Sequence, residues 1–339
     1  MQYRALGNTK IQASVIGFGT WAIGGWLWGG TDEKKSVDAL RSAIDRGINL
    51  IDTAPMYGYG LSEEIVGKAI RGHRDNVVLA TKCGVRWTKG ELEPGKGEFY
   101  LYGSTSGFGT ETDHDWKVYI CLHPDSIRKE VEWSLQRLGT DYIDLYQTHT
   151  QESTIPIEET MGTLLDLKRE GKIRAIGVSN ATPEQLRRYM AVGRVDVSQE
   201  RFSFIDRGIE ENGILDLCRQ KNASLLPYSP LAMGLLTGKM APDRHFPDTD
   251  IRSTMERFKP DNITRVNAML QKLEPIAQRR QLTIGQLIIA WTITFYNKTH
   301  ILCGARTPEQ VLENAVSGDV FLNREEMEFL AGLREEKFV

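Results

Sequence analysis

The 339-residue sequence lacks a long apolar run, a strong net charge and an apolar leader. No stretch approaches the ~18 consecutive apolar residues of a membrane-spanning helix. The net charge of -3 gives no sign that the partner is a nucleic acid or a membrane surface. The first ten residues, MQYRALGNTK, have no apolar core of the kind that secretory signal peptides carry, so we expect a cytoplasmic protein.

Cysteines are few and widely scattered. The four of them, Cys83, Cys121, Cys218 and Cys303, show no metal-ligand spacing, and no metal site is predicted. In a reducing compartment such cysteines are free thiols rather than bridges.

The sequence also lacks a convincing dinucleotide-binding fingerprint. Residues 17–22, GFGTWA, match G-x-G-x-x-A formally. The fingerprint requires a helix to begin there, but the Gly- and Trp-rich GGWLWGG follows instead. A Rossmann domain is therefore not expected at this position.

What the sequence does contain is eight short apolar runs, most of them followed by a stretch with helical periodicity. We predict strands at residues 14–20, 48–52, 76–82, 142–149, 173–180, 195–200, 224–229 and 300–305. Eight β-then-α units over some 300 residues are typical of a (β/α)8 TIM barrel, and continuous apolar strands suit a buried parallel sheet. A doubly wound open sheet is the alternative. Polar residues at the C-terminal ends of most strands favour the barrel, because they indicate a ring of loops around one mouth.

Further elements complete this α/β architecture, which we treat as one domain over residues 1–339. Residues 3–12, with a turn at Gly7-Asn8, predict an N-terminal β-hairpin. Helical patterns also cover residues 212–221, 263–280, 283–297 and 324–335.

One insertion interrupts the alternation after the third strand. Residues 85–122 are rich in glycine, acidic and aromatic residues, and predict a long loop. A loop of this length inside a compact domain is usually a lid or a binding loop, although a surface excursion or a subunit contact is the alternative.

Four ionisable side chains stand at or after strand ends. Asp52 ends the second predicted strand, and Tyr57 follows it in a Gly-punctuated loop. Lys82 and His149 end the third and fourth strands. Around one barrel mouth, an ammonium can stabilise a phenolate, a carboxylate can hold the ammonium, and an imidazole can orient a substrate oxygen. This set suits carbonyl reduction, in which a proton donor meets the developing alkoxide.

The sequence resembles the aldo-keto reductase family nearly from end to end. LGNTKIQASVIGFGTW, at residues 6–21, resembles the family's hairpin and first strand, and GINLIDTAPMYGYGLSEEIVGKAI, at 47–70, resembles its principal signature. Residues 155–180 resemble a second signature, and GARTPEQVLENA, at 304–315, resembles the cofactor-binding end. SPLAMGLLTGK, at 229–239, and the Gly-Ala-Arg at 304–306 resemble the bacterial branch that acts on sugars and polyols, and also potassium-channel β subunits.

The resemblance implies a catalytic tetrad of Asp52, Tyr57, Lys82 and His149, with Tyr57 as the general acid. It also implies a nicotinamide cofactor that lies extended across the barrel mouth. The residues that match its cofactor-binding positions are Thr20, Trp21, Asp52, Ser179, Asn180, Gln199, Tyr228, Ser229, Pro230, Leu231, Lys239, Arg252, Gly304, Arg306, Gln310, Glu313 and Asn314.

We expect NADP(H) as the cofactor, with NAD(H) as the alternative. Many family members carry a lysine where Gly304 stands and an arginine where Gln310 stands, so Arg306 is the cation best placed to bind a 2′-phosphate bidentately. Thr150-Gln151 replaces a common Trp-Pro pair, which suggests a more open or polar substrate pocket.

The resemblance implies an NADP(H)-dependent oxidoreductase acting on an aldehyde, a ketone or a sugar. The alternatives are an NAD-dependent aldose or polyol dehydrogenase, and a cofactor-binding regulatory subunit that senses redox state. The expected partner is a small-molecule carbonyl or polyol, and the sequence leaves open whether the chain forms a homo-oligomer.

Overall fold

A computed structural model describes residues 1–90, 97–105 and 107–333. The chain begins with an antiparallel hairpin of β1 (Tyr3–Ala5) and β2 (Gln12–Ser14), as the turn at Gly7 predicts. Gly7 has a φ of +53° there, a backbone conformation that favours glycine. Leu6 and Ala13 of the hairpin are fully buried and pack against the apolar side chains inside the barrel, so the hairpin closes its base.

Eight parallel strands form a closed barrel, which confirms the predicted architecture. In chain order they are β3 (Ile16–Gly19), β4 (Leu50–Asp52), β5 (Val78–Cys83), β10 (Ile143–Thr148), β11 (Ile173–Ser179), β12 (Val197–Arg201), β13 (Ser224–Tyr228) and β14 (Ile301–Gly304). Sequential strands are neighbours, β14 pairs with β3, and the ring closes through β5 and β10. Closure of a parallel barrel brings the C-terminal ends of all eight strands to one mouth.

Helices surround the barrel. They are α1 (Glu33–Asp45), α2 (Leu61–Ile70), α3 (Pro124–Leu138), α4 (Ile157–Arg169), α5 (Pro183–Val192), α6 (Ile214–Lys221), α7 (Pro260–Gln271), α8 (Glu274–Arg280), α9 (Ile284–Phe295), α10 (Pro308–Ala315) and α11 (Arg324–Gly332). Capping boxes begin α5 at Thr182 and α9 at Thr283. None of these described helices is long and apolar enough to cross a membrane.

The structure corrects one helix prediction. Residues 263–280 were expected as a single helix, but α7 ends at Gln271 and α8 begins at Glu274. Pro275 lies in the first turn of α8, where its missing N–H costs nothing. Inside a continuous helix the same proline would remove a hydrogen bond and clash with the preceding turn.

The insertion differs from the expected loop, because its described residues contain four strands. They are β6 (Val85–Thr88), β7 (Glu98–Ser104), β8 (Gly107–Phe108) and β9 (Trp116–Ile120). They form an antiparallel sheet in the order β6, β9, β7, β8. The register shifts between Phe99 and Leu101, which breaks the simple alternation by which a strand is found in a sequence.

Candidate active site

The interior of the barrel changes from apolar to polar along its axis. Side chains alternate along a strand, so Asp52 faces the same way as the buried Leu50. The lower interior is lined by Leu50, Val78, Ala80, Leu145, Ala175, Val197, Leu226 and Leu302. One step nearer the mouth the inward positions are occupied by Asp52, Lys82, Gln147 and Gln199, all of them buried. The polar layer therefore rests on a packed apolar floor.

Lys82 is the centre of this layer. Its side chain is fully buried, and its Nζ lies 2.6 Å from Asp52 Oδ1. The same Nζ donates to the carbonyl oxygen of Thr53 at 2.9 Å and to the Tyr57 hydroxyl at 3.2 Å. An ammonium has three N–H donors, and these three acceptors use all of them. The sequence prediction that Lys82 is the partner of both Asp52 and Tyr57 matches this geometry.

The charges of the layer support one another. Burial lowers the pKa of Lys82, but the Asp52 carboxylate and the Tyr57 hydroxyl together more than offset this and raise the pKa of Lys82, so the ammonium stays charged. Burial raises the pKa of Tyr57, and the Lys82 ammonium opposes that rise only in part. The phenol therefore holds its proton at neutral pH, while a cation stands ready to stabilise its conjugate base.

His149 follows β10, the strand that pairs with β5, and its ring lies beside Tyr57. Its ring meets the Tyr57 ring edge to face, with 5.7 Å between the ring centres. Burial lowers the pKa of His149 to about 3, and the nearby Lys82 charge adds to this effect. The imidazole is therefore neutral at physiological pH. Its main chain is fixed by a hydrogen bond to the carbonyl oxygen of Cys83 at 2.9 Å and by one from Asn180 Nδ2 at 2.9 Å.

The sequence analysis missed Gln147. Its amide Nε2 donates to Asp52 Oδ2 at 3.0 Å, the oxygen that Lys82 does not use. Gln199 Nε2 donates to the same oxygen at 2.9 Å. A glutamine inside the predicted strand YIDLYQTH was the available signal, because a buried amide needs partners.

Four predicted cofactor residues meet at the ends of β11, β12 and β13. The Ser179 hydroxyl donates to the main-chain oxygen of Gln199 at 2.9 Å. The Tyr228 hydroxyl donates to Asn180 Oδ1 at 2.8 Å. Asn180 has a φ of +55° and is exposed, so its side chain lies at the mouth. Residues 229–231 continue from Tyr228 on the same rim.

Two predicted residues after β3 have different surroundings. Trp21 is partly buried, and its ring centre lies 6.3 Å from that of Tyr57, on the mouth side. Thr20 is fully buried instead, and its hydroxyl accepts from Ser62 at 2.7 Å. The Thr20 side chain is therefore directed into the wall rather than into the mouth.

The three cations predicted for the cofactor site are all engaged within the protein. Arg306 donates to the carbonyl oxygens of Trp28 at 3.0 Å and of Gly30 at 2.6 Å. Arg252 forms a bidentate ion pair with Asp250, at 2.9 and 2.7 Å. Lys239 Nζ lies 2.5 Å from Glu313.

The remaining predicted residues lie just before α10 and within it. Gln310 accepts from the main-chain N–H of Arg306 at 2.8 Å, and a Cβ on Gly304 would meet nothing closer than 3.7 Å. Gln310, Glu313 and Asn314 belong to α10 itself. The N-terminus of α10 beside Arg306 suits an anionic group, so Gly304, Arg306 and Gln310 fit a nucleotide phosphate.

The insertion sheet packs against the loops that carry Trp21 and Tyr57. Trp26 Nε1 donates to the carbonyl oxygens of Ser104 and Gly107, both at 3.0 Å. The Tyr59 ring contacts Trp26 and also the insertion residues Trp87 and Trp116, with 5.4 to 5.8 Å between ring centres. The sheet therefore forms an aromatic wall beside the mouth.

Gln151 stands at the position of the proline in the common Trp-Pro pair, and its amide forms hydrogen bonds within the barrel wall. It donates to Thr148 Oγ1 at 3.0 Å and to the carbonyl oxygen of Ser179 at 2.9 Å, and it accepts from the Tyr189 hydroxyl at 2.8 Å. Gln151 therefore ties β10 to β11 and α5.

Comparison with known proteins agrees with this geometry. The family model described as "Aldo/keto reductase family" matches residues 15–335. The "NADH-specific methylglyoxal reductase" of Escherichia coli is 42% identical over 325 residues, covering 94% of both chains. "Aldo-keto reductase YhdN" of Bacillus subtilis is 39% identical over 314 residues, covering 92% of this chain and 87% of its own.

Solved structures show the same similarity. The glycerol dehydrogenase AKR11B4 from Gluconobacter oxydans has a TM-score of 0.84 and 36% identity, covering 98% of this chain and 94% of its own. An aldo/keto reductase from Klebsiella pneumoniae in complex with NADP and acetate has a TM-score of 0.69 and 28% identity, covering 99% of both chains.

A buried carboxylate and ammonium and a partly buried phenol at the C-terminal mouth of a TIM barrel suit the carbonyl–alcohol oxidoreductases to which these relatives belong. The chain belongs to the aldo/keto reductase family. Members of this family use nicotinamide cofactors, and the predicted fold and family are confirmed.

Proposed function

We propose that the protein is an NADP(H)-dependent reductase that interconverts a small aldehyde, ketone or sugar with its alcohol. The observation that carries the proposal is the unbroken chain of contacts from Asp52 through Lys82 to the Tyr57 hydroxyl, at 2.6 and 3.2 Å. A bound nicotinamide supplies the hydride. The chain's own residues then have to position the carbonyl and to deliver one proton.

Tyr57 is the proton donor in this proposal. Its hydroxyl gives its proton to the alkoxide that develops on the substrate, and Lys82 stabilises the resulting phenolate. Asp52 keeps Lys82 charged and in place. The neutral imidazole of His149 can donate one ring N–H to the carbonyl oxygen, which orients it towards Tyr57.

The preference for NADP(H) rests on Arg306. Among the described residues its guanidinium bonds to two main-chain carbonyls, which it can exchange for a 2′-phosphate with a gain in charge pairing. Arg252 is a weaker candidate, because Asp250 already neutralises it. If a 2′-phosphate binds Arg306, we expect Arg306→Ala to raise the Kd of NADPH about tenfold or more and to leave that of NADH nearly unchanged.

An NAD-dependent aldose or polyol dehydrogenase is the second candidate. The relative of 42% identity that is named an NADH-specific methylglyoxal reductase favours NAD(H) as the cofactor, and the neighbour named a glycerol dehydrogenase favours a polyol as the substrate. Comparable Kd values for both cofactors, or tighter binding of NADH, would decide for it. A regulatory subunit is less well supported, because the catalytic histidine that channel β subunits often replace is retained as His149.

The decisive experiment is a panel of aldehydes, ketones and aldoses, with both cofactors and in both directions, on wild type and on Tyr57→Phe. We expect wild type to turn over a carbonyl and Tyr57→Phe to lose about 10²- to 10⁴-fold in kcat. Tyr59→Phe is the matched control, because the Tyr59 hydroxyl is buried and has no hydrogen-bond partner in the described structure. Equal rates in wild type and Tyr57→Phe would exclude Tyr57 as the acid.

A further inference from the structure

We propose that Gln147 is a positioning residue: it fixes the orientation of the Gln199 amide and supports Asp52 beneath Lys82. This inference rests on the proposed function, since it assigns a part in the same site to a residue outside the tetrad. It follows from three observations, namely a closed set of hydrogen bonds, a space left open by a glycine, and an acceptor left unused.

The hydrogen bonds form a triangle across the barrel interior. Gln147 Nε2 donates to Asp52 Oδ2 at 3.0 Å, and Gln199 Nε2 donates to the same oxygen at 2.9 Å. The second N–H of Gln199 Nε2 points to Gln147 Oε1 at 3.3 Å. All three side chains are buried, with exposures of 0 to 2%. Buried amides with this set of partners have one favourable orientation each, because a flip would place an amide oxygen against the carboxylate.

The neighbouring strand makes room for Gln147. Gly177 of β11 pairs in register with Gln147 of β10. A Cβ on Gly177 would lie 2.5 Å from Gln147 Cγ and 2.9 Å from its Oε1, which real Cβ atoms do not tolerate. The absence of a side chain at Gly177 therefore leaves the space that Gln147 occupies. Any side chain at position 177 would displace Gln147.

The triangle leaves one group of Gln199 unused. Both amide N–H groups of Gln199 are donated, and its Oε1 accepts no hydrogen bond within the described structure. Oε1 is therefore the group that Gln199 can present to a ligand at the mouth, and a carboxamide N–H is the matching donor. Gln147 and Asp52 together hold the oxygen in that orientation.

The test replaces Gln147 by methionine, which has nearly the same length and shape but neither a strong donor nor a strong acceptor. We expect kcat to fall about tenfold and the cofactor Kd to rise several-fold, because Asp52 loses one donor and Gln199 loses its orienting acceptor. Gly177→Ala should reproduce both changes with Gln147 intact. Tm is measured for each variant, so that loss of fold is separated from loss of position.

A matched control comes from the opposite end of the barrel. Asn49 accepts from the N–H of Ser14 at 2.7 Å and donates to the carbonyl oxygen of Gln12 at 2.9 Å. Asn49→Ala also removes an amide that makes two hydrogen bonds. It should lower Tm without changing kcat or cofactor Kd. If Gln147→Met behaves like Asn49→Ala, Gln147 only fills space and the proposal is wrong.

A second variant gives a signature that a structural role would not produce. In Gln147→Glu the new carboxyl group faces Asp52 and Lys82, with Tyr57 beyond the lysine and the Cys83 thiol near the main chain at 147. Ionised, it repels Asp52; protonated, its O–H can donate to Asp52 Oδ2 as the amide does. The activity of Gln147→Glu relative to wild type should therefore rise as pH falls. A ratio independent of pH would overturn the proposal.

Cofactor binding can be measured without turnover, so the inference about Gln147 can be tested independently of the proposed function. If wild type turns over no carbonyl in the panel, the proposed function fails. The rise in Kd for Gln147→Met and Gly177→Ala, followed by quenching of protein fluorescence, would still report on Gln147. If wild type is active and neither kcat nor Kd changes by more than twofold in Gln147→Met, only the inference about Gln147 fails.

Discussion

Two buried carboxylates lie towards opposite ends of the barrel strands, and their partners differ. Asp144, near the start of β10, binds Arg74 at 2.8 Å and Arg174 at 3.0 Å and accepts from the N–H of Leu79 at 3.0 Å. Asp52, at the end of β4, binds a single cation, Lys82. The two have nearly the same burial, so burial alone does not distinguish them.

The difference lies in what each cation does with its remaining donors. Arg74 also donates to the carbonyl oxygens of Val77 and Tyr142 and to Thr140 Oγ1, all of which are structural groups. The last donor of Lys82 goes instead to the Tyr57 hydroxyl, at the mouth. A similar ion pair therefore stabilises the fold near the base of the barrel, whereas at the mouth it positions a cation beside the Tyr57 hydroxyl. This agrees with the division between stability and activity at the two ends of TIM barrels.

The largest expected effect is that of Lys82→Met. Without the ammonium, the Tyr57 phenolate loses its stabilising cation, and we expect kcat for carbonyl reduction to fall by about 10²- to 10⁴-fold. Steady-state kinetics with the best substrate of the panel measure this. The Asp52 carboxylate keeps two amide donors but loses its only described cation, so the variant should also be less stable, and circular dichroism checks that it remains folded. A loss below threefold would show that Lys82 does not act on Tyr57.

Asp144→Asn should have the opposite profile. It removes the charge that compensates Arg74, whose side chain is only 16% exposed, so we expect a loss of roughly 3 to 5 kcal/mol in the free energy of unfolding. The kcat value should not change. Urea unfolding and kinetics at a fixed substrate concentration measure the two quantities. Asp141→Asn, an exposed aspartate three residues earlier, is the control for the change in net charge.

The sequence allowed prediction of the eight barrel strands and of the contacts among Asp52, Tyr57 and Lys82, because each depends on a local pattern or a strand-end position. The insertion sheet was not predicted, since the register shift between Phe99 and Leu101 hides its alternation. Gln147 was missed for another reason. Its importance depends on which residues face it from β4 and β12, and on the space at Gly177, neither of which is local in sequence.

Two histidines extend the comparison to pH. His300, near the base, is fully buried, and burial lowers its pKa to about 4. In the unfolded chain its pKa is about 6.5, so the unfolded state takes up the proton first. The stability from neutral His300 is therefore complete above pH ~6.5 and is lost as pH falls towards 4, by about 3 kcal/mol in total.

His300→Gln should reduce this loss of unfolding free energy at acidic pH. Glutamine can still donate to the carbonyl oxygen of Ser14, the partner of His300 Nδ1 at 3.1 Å, but it does not titrate. Urea unfolding at a series of pH values from 7 to 4 measures the slope in wild type and variant. His149→Gln is the comparison at the mouth: it should lower activity, and because burial also lowers the pKa of His149, it should reduce the loss of stability at acidic pH as well. If His300→Gln loses as much stability as wild type when pH falls, other groups cause the pH dependence.

The smallest expected effect separates the two arginines at the base. Each guanidinium carbon lies 3.8 Å from the centre of the Tyr142 ring, so the cation–π geometry is the same. Their exposures differ, at 16% for the Arg74 side chain and 52% for that of Arg174. Water screens the Arg174 pair, so Arg174→Ala should cost at most about 1 kcal/mol in the free energy of unfolding and leave kcat unchanged. Arg74→Ala should cost more, because it also leaves three buried or half-buried acceptors without their donor. Equal losses of unfolding free energy in the two variants would mean that contact with the shared Tyr142 ring, rather than pairing with Asp144, supplies most of the stability of these arginines. The comparison between Asp144 and Asp52 would then not hold.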